Sequence, residues 1–268
     1  MRVQEARSLL FVPGNRPERF AKAAAAQPDI VIIDLEDAVG AADKDTARGH
    51  AVSWLAAGNP AMVRINATDT AWHEDDVAMI AEYRPAVMLA KAEHQDQISR
   101  LTAAAPGVPV VPLIETAIGV MAATALCAAS GVQRVAFGSI DLANQLGVDP
   151  DDREALLWHR TMLVLASAAA GLAPPIDGVT TSFTETDSLT SDFTYARRLG
   201  MGAKLCIHPA QIAAVHAAAL PSDADVVWAN NVVDSLDAAG GSAAAVDGQM
   251  VDAPVVERAR RILAAAGG

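Results

Sequence analysis

Cysteine is scarce: Cys127 and Cys206 are the two in 268 residues, far apart and each in apolar surroundings. That spacing gives no disulfide framework and no zinc-ligand set, so buried free thiols in a reducing compartment are expected. Aromatic residues make up only 4%, and alanine fills much of the remainder, which favours tightly packed helices with small contact faces. Cations are outnumbered, with 20 Lys and Arg against 32 Asp and Glu and a formal net charge of −12. Nucleic-acid binding is therefore not expected, because phosphate affinity comes mainly from Lys and Arg. A local basic pocket for a phosphorylated ligand remains compatible with that balance. No apolar run reaches the roughly 18 residues a membrane span needs. The opening MRVQEARSLLFVPGN has neither a long apolar segment nor a small-residue cleavage site. A cytoplasmic protein without a membrane partner is the expectation. Neither G-x-G-x-x-G nor G-x-x-x-x-G-K-[ST] occurs, which removes the best support for a dinucleotide or nucleoside-triphosphate site.

What is present is a repeating alternation. A hydrophobic content of 52% with 19% charged residues suits one large domain, or a domain with a small appendage. Short β-like runs occur at 8–13, 30–36, 61–66, 86–93, 108–116, 133–141, 174–179 and 203–209, separated by alanine-rich stretches of helical length. The helical stretches are 17–26, 43–57, 72–83, 95–105, 118–130, 153–170, 188–199 and 209–219. Strand and helix in alternation imply βαβ units and a parallel sheet, and several runs are continuously apolar, as in strands covered on both faces. Eight units predict an α/β fold of the (β/α)8 TIM-barrel kind over residues 1–220. A doubly wound open sheet is the alternative, but it needs fewer strands. Residues 221–268 predict a C-terminal helix–hairpin–helix extension: a helix over 224–236, a hairpin turn at Asp247-Gly248, and a last helix opened by Pro254. Being extra to the barrel, this segment must cover something or reach a neighbouring subunit.

In a barrel of this kind chemistry gathers where strands end. The strand ends carry Arg16, Glu36 and Asp37, Arg64 and Asn66, Lys91 and Glu93, Glu115, Ser139 and Asp141, Asp177 and His208. The stretch IVIIDLEDAV is characteristic, an apolar strand running into acids. Any single case is explained by a structural ion pair, but eight on one rim carry a desolvation cost that points to a function. Crowded carboxylates repel unless a proton or cation intervenes. All-oxygen donors favour a hard divalent ion, and Mg²⁺ takes one or two carboxylates while keeping positions for water and substrate. With Arg64 beside it, such a site suits a carboxylate next to a carbonyl or hydroxyl, and stabilises a developing enolate. His208 is expected to be a hydrogen-bonded rim residue, and Asp34 a structural acid below the rim.

The segments VPGNRPERFAKA, IDLEDAV, VRIN, LAKAE, LIET, FGSIDLANQLG, LCIHPAQI and GQMVDAP follow one another in order. Together they resemble the citrate lyase beta-subunit-like proteins of the HpcH/HpaI aldolase and malyl-CoA lyase superfamily, over nearly the whole chain. The resemblance implies that Glu115 and Asp141 are Mg²⁺ ligands and that Arg64 holds the substrate and steadies the enolate. It makes Glu36 and Asp37 supporting acids. Asp252 becomes an acid delivered from a neighbouring subunit for proton transfer, which implies a homo-oligomer, a trimer or hexamer. Arg16, Arg19 and Lys22 match the region that meets the phosphates of coenzyme A. For Lys91, an ion pair with Glu36 or Glu115 is favoured over direct catalysis, and for Asp252 a simple cap on the last helix is the plain alternative. The implied activity is Mg²⁺-dependent cleavage of a 3-hydroxy-3-carboxy acyl thioester such as malyl-, citramalyl- or citryl-CoA to a 2-oxo acid and an acetyl or propionyl thioester. A CoA-independent 2-oxo acid aldolase and a non-catalytic metal-binding accessory subunit stay open.

Overall fold

The computed structural model describes residues 2–182, 186–238, 244–246 and 249–267. Eight parallel strands close into a barrel in chain order: β1 (Ser8–Pro13), β2 (Ile30–Asp34), β3 (Met62–Ile65), β4 (Ala86–Leu89), β5 (Val110–Ile114), β6 (Ala136–Phe137), β7 (Ile176–Asp177) and β8 (Ala203–Cys206). β8 returns to pair with β1, Leu9 standing opposite Leu205. The alternation of side chains along each strand builds the interior. Leu9, Ile32, Met62, Met88, Val111, Leu113 and Leu205 meet inside the barrel, with the smaller Ala86, Ala136 and Ala203 where strands need room. Truncating one of the larger residues to Ala would cost about 2–5 kcal/mol.

The helices between strands are α1 (Phe20–Ala25), α2 (Lys44–Ala56), α3 (His73–Tyr83), α4 (Gln95–Ala104), α5 (Ala117–Met121), α6 (Ala123–Cys127), α7 (Ser139–Leu146), α8 (Leu157–Ala169), α9 (Thr186–Arg198) and α10 (Gln211–Ala219). Two of these depart from the pattern read in the sequence. The stretch over 118–130 breaks into α5 and α6. The expected strand over 133–141 shrinks to Ala136–Phe137, and Ser139 and Asp141 belong to the first turn of α7. The reason is local: SIDLANQL places Ile140 and Asp141 before an apolar pair, Leu142 and Ala143, that is buried on one helix face. Gly147 then ends the helix in the left-handed conformation that favours glycine.

At the end of the barrel away from the strand C-termini, Arg134 is buried. It donates to the carbonyls of Pro174, Val3 and Ala6, tying the N-terminal segment beneath β6 and β7. Burial pushes its pKa down, and the carbonyl dipoles take the place of a carboxylate partner.

The chain divides into two compact units, Met1–His216 and Ala217–Gly268. In the second, α11 (Asp223–Ala238) and α12 (Ala253–Ala266) share a core of Ala229, Val232, Val256 and Ala259. The strands β9 (Ala244–Val246) and β10 (Gln249–Val251) pair antiparallel. The turn expected at Asp247-Gly248 lies outside the described residues. Among the described residues no helix is long and apolar enough to cross a membrane.

Candidate active site

The C-terminal edge of the barrel holds a cavity of about 410 Å³. Its polar lining comes from Asp34, Asp37, Arg64, Glu115, Ser139 and Asp141, and its apolar walls include Phe11, Leu113, Phe137 and Leu205. Arg64 leaves β3 and is buried. Its Nε and Nη2 donate to the two carboxylate oxygens of Asp34 at 2.7 and 2.6 Å, and its guanidinium lies 4.8 Å over the Phe11 ring. Burial disfavours the cation, but Asp34, with Glu36 and Glu115 behind it, outweighs burial and its pKa rises. Its Nη1 is 3.3 Å from Glu36 and 3.8 Å from Asp37. The acid that orients Arg64 is thus Asp34, with Glu36 and Asp37 the weaker partners. Asp34 also accepts the backbone N–H groups of Glu36 and Ala38, so one carboxylate shapes the acid-rich loop and aims the arginine.

Beneath that loop lies Lys44, whose importance nothing in the linear pattern signalled. Its ammonium donates to the carbonyls of Leu35 and Glu36 and to Asn66 Oδ1, at 2.6–2.7 Å. Burial lowers its pKa, with the surrounding acids opposing the shift. Asn66 is held in turn by Asp76. The polar residues of the second and third strand ends therefore form a connected base.

Glu115 follows β5 directly and is 2% exposed. Burial pushes its pKa well above the ordinary carboxylate value; Arg64 opposes that, while Glu36 and Asp141 add repulsion. Its Oε1 accepts the backbone N–H of Lys91 at 2.8 Å, and the Lys91 ammonium reaches Glu36 Oε1 at 2.6 Å. Lys91 thus makes the ion pair expected for it and stands at the rim, outside the lining of the cavity. Gly138 is a residue that sequence reasoning passed over. A Cβ there would fall 2.3 Å from Glu115 Cβ and 2.7 Å from Oε2, so the carboxylate lies against β6 only because that position has no side chain.

Not every strand-end residue joins this mouth. Asp177 is a correction: its neighbour Ile176 faces the barrel interior, and Asp177 points outward into the helix layer. There it accepts Lys204 Nζ at 2.8 Å and Arg160 Nε at 2.8 Å. Burial would raise its pKa, but the two cations prevail and hold it down. Glu93 lines a separate shallow hollow with Ile118 and Met121. The cations expected to meet phosphates divide. Arg19 and Lys22 line a second cavity of about 290 Å³ with His208, and this cavity shares Phe11, Pro13 and Ile207 with the first. Arg16 is exposed, 3.1 Å from Glu18, and lines neither cavity. Asp252 lies in the second unit, where it accepts the Val255 N–H as the cap of α12.

Sequence comparison matches the pattern of the HpcH/HpaI aldolase/citrate lyase family to residues 7–209. The chain belongs to that family. It is thereby an enzyme of the carbon–carbon lyase class. A citrate lyase subunit beta-like protein of Mycobacterium tuberculosis is 37% identical over 265 residues, covering 96% of this chain and 94% of that protein. A (3S)-malyl-CoA thioesterase of Cereibacter sphaeroides is 32% identical, with 97% of this chain and 94% of that protein covered. Among solved structures, CitE of M. tuberculosis in complex with magnesium, acetoacetate and coenzyme A superimposes with a TM-score of 0.88 at 35% identity, over 99% of this chain and all of that one. RipC from Yersinia pestis gives 0.73 at 30% identity, over 83% of this chain.

Could these residues hold a divalent ion? Five carboxylates, Asp34, Glu36, Asp37, Glu115 and Asp141, stand among three cations, Arg64, Lys91 and Lys44, so acidic groups outnumber basic ones at this mouth. No cluster of three or more His, Cys, Asp or Glu side chains with metal-binding geometry occurs among the described residues. Glu115 and Asp141, both opening onto the cavity, suit an ion that fills its remaining positions with water and substrate oxygens. The buried, repelled Glu115 is the group a cation would relieve. The donor set fits Mg²⁺.

Proposed function

We propose that the protein is a Mg²⁺-dependent lyase that reversibly cleaves a 3-hydroxy-3-carboxy acyl thioester of the malyl-, citramalyl- or citryl-CoA kind, giving a 2-oxo acid and an acetyl or propionyl thioester. The observation that carries this is the meeting of Glu115, Asp141 and Arg64 on one cavity that borders a second, cationic one. Glu115 and Asp141 would hold the metal, which when bound supplies Lewis-acid polarisation of the substrate's oxygens. Arg64, fixed by Asp34, presents a preorganised cation to the oxygen on which charge develops. Phe11, Leu113, Phe137 and Leu205 limit water around it and strengthen that interaction. The hydroxyl proton passes to a carboxylate of the mouth as the carbonyl of the 2-oxo acid forms, and the electrons of the broken C–C bond pass to the thioester enolate. Asp252 of a second copy protonates the enolate carbon, or removes that proton in condensation, as the family likeness suggests. Arg19 and Lys22 take the phosphates of coenzyme A. Arg16 is the weaker candidate of the three, because its guanidinium is engaged with Glu18.

The test is incubation of the purified protein with Mg²⁺ and a panel of these thioesters, following the 2-oxo acid and the short acyl thioester together. Formation of both supports the reading, and inactivity on the whole panel defeats it. A malyl-CoA thioesterase among the relatives favours a second reading, simple thioester hydrolysis, and free coenzyme A without a 2-oxo acid would mark it. Aldol activity on a free 2-oxo acid without coenzyme A, or activity only with a copurified partner, would turn the assignment to the aldolase or accessory-subunit alternatives.

A further inference from the structure

Lys91 is one of three residues other than glycine with positive φ among the described residues, at +48°, and it alone of them touches the site. Gln27 and Arg84, the other two, follow the ends of α1 and α3. A left-handed lysine in a tight turn between a strand and a loop is uncommon and needs a compensating contact. The turn is fixed from its far side. Ala92 N–H donates to Leu113 O at 3.1 Å, and Ala92 O sits where a Cβ on Gly119 would be 2.5 Å away. With Ala92 anchored, the φ of Lys91 decides where the preceding peptide, and hence the Lys91 N–H, points. It points at Glu115 Oε1, 2.8 Å away. The other oxygen, Oε2, is left on the side of Gly138, the residue that leads into α7 and Asp141. The side chain of the same residue binds Glu36 Oε1, whose other oxygen faces Arg64.

We propose that Lys91 is a positioning residue with two separable parts: its left-handed backbone fixes the Glu115 carboxylate for cation binding, and its ammonium holds Glu36 across the mouth. This rests on the metal part of the reading above. A group that orients a metal ligand typically changes metal affinity by about 10- to 100-fold when lost.

The test compares Lys91→Gly, Lys91→Met and Lys91→Val. Glycine takes positive φ freely, methionine keeps the backbone donor without the charge, and β-branched valine resists the left-handed region. Mg²⁺ titrated calorimetrically into substrate-free protein should bind Lys91→Gly and Lys91→Met with wild-type affinity within about threefold, and Lys91→Val at least about tenfold more weakly. Gly119→Ala, which pushes Ala92 O while leaving Lys91 in place, should weaken Mg²⁺ in the same way and serves if Lys91→Val does not fold. Turnover of Lys91→Gly and Lys91→Met should fall although the metal stays bound, a split that a merely structural residue would not give. A tenfold loss of Mg²⁺ affinity in Lys91→Gly overturns the backbone role, as does wild-type affinity in folded Lys91→Val or Gly119→Ala. Undiminished turnover in Lys91→Met overturns the role of the ammonium. Wild-type protein that binds Mg²⁺ but turns over no thioester defeats the substrate reading alone, with the affinity comparison unaffected. Wild-type protein that binds no Mg²⁺ defeats both.

Discussion

Replacing Asp34 by Ala strips a buried guanidinium of its bidentate partner, with contacts of 2.6 and 2.7 Å lost together. Removing one member of a buried ion pair typically costs about 3–5 kcal/mol, because the remaining charge stays desolvated and uncompensated. Here Glu36 and Asp37 remain 3.3 and 3.8 Å from Arg64, which moderates the loss. Against that, the backbone N–H groups of Glu36 and Ala38 lose their acceptor. About 3 kcal/mol is the expected result, the lower end of the range for a broken buried pair. For a chain of this size that lowers Tm by about 6–12 °C. The assay is urea unfolding of wild type, Asp34→Ala, Arg64→Met and the double variant at pH 7. The double variant should be less destabilised than the sum of the two single changes, since it no longer contains an unpaired buried charge. Turnover of Asp34→Ala should drop about 10²-fold, as for loss of one oxyanion-stabilising group. A stability loss below about 1 kcal/mol, the size of an exposed pair, would refute the claim that Asp34 holds Arg64.

Three further outcomes follow from the geometry. Gly138→Ala should remove Mg²⁺ binding and turnover, because the added Cβ would meet Glu115 at 2.3 Å; wild-type affinity in calorimetry would show that Glu115 has room to move. Mg²⁺ at 100 times its Kd should stabilise the wild type by about 2.7 kcal/mol, and Glu115→Ala or Asp141→Ala should abolish that shift in thermal unfolding; a persistent shift would place the ion elsewhere. Burial pushes the Cys127 thiol up to about 11 and the Cys206 thiol up to about 12. Both should stay protonated and unreactive toward a thiol reagent from pH 7 to 9, and react only in denaturant; rapid labelling of native protein at pH 8 would contradict their burial.

The barrel was readable in the chain because its determinants are local. Eight apolar runs separated by helical stretches need covering on both faces, and closure of a parallel sheet satisfies them. The family-bearing segments also name Glu115, Asp141 and Arg64, since each stands at the end of its strand or just beyond it. The direction of a strand-end side chain is different. Asp34 and Asp177 both occupy buried strand positions next to an apolar residue. Yet Asp34 serves the mouth while Asp177 anchors α8 to β8. Their partners lie far along the chain, Arg64 for one and Lys204 with Arg160 for the other, and no periodicity records such pairings. Lys44 and Gly138 were invisible for the same reason: one supports carbonyls from another element, and the other matters by the space it leaves. The sequence by itself determined the repeating units, the fold they close into and the kinds of group on the rim. The tertiary structure decided which of those groups share a field, because charge interactions and close packing depend on separations of a few ångströms between residues tens of positions apart.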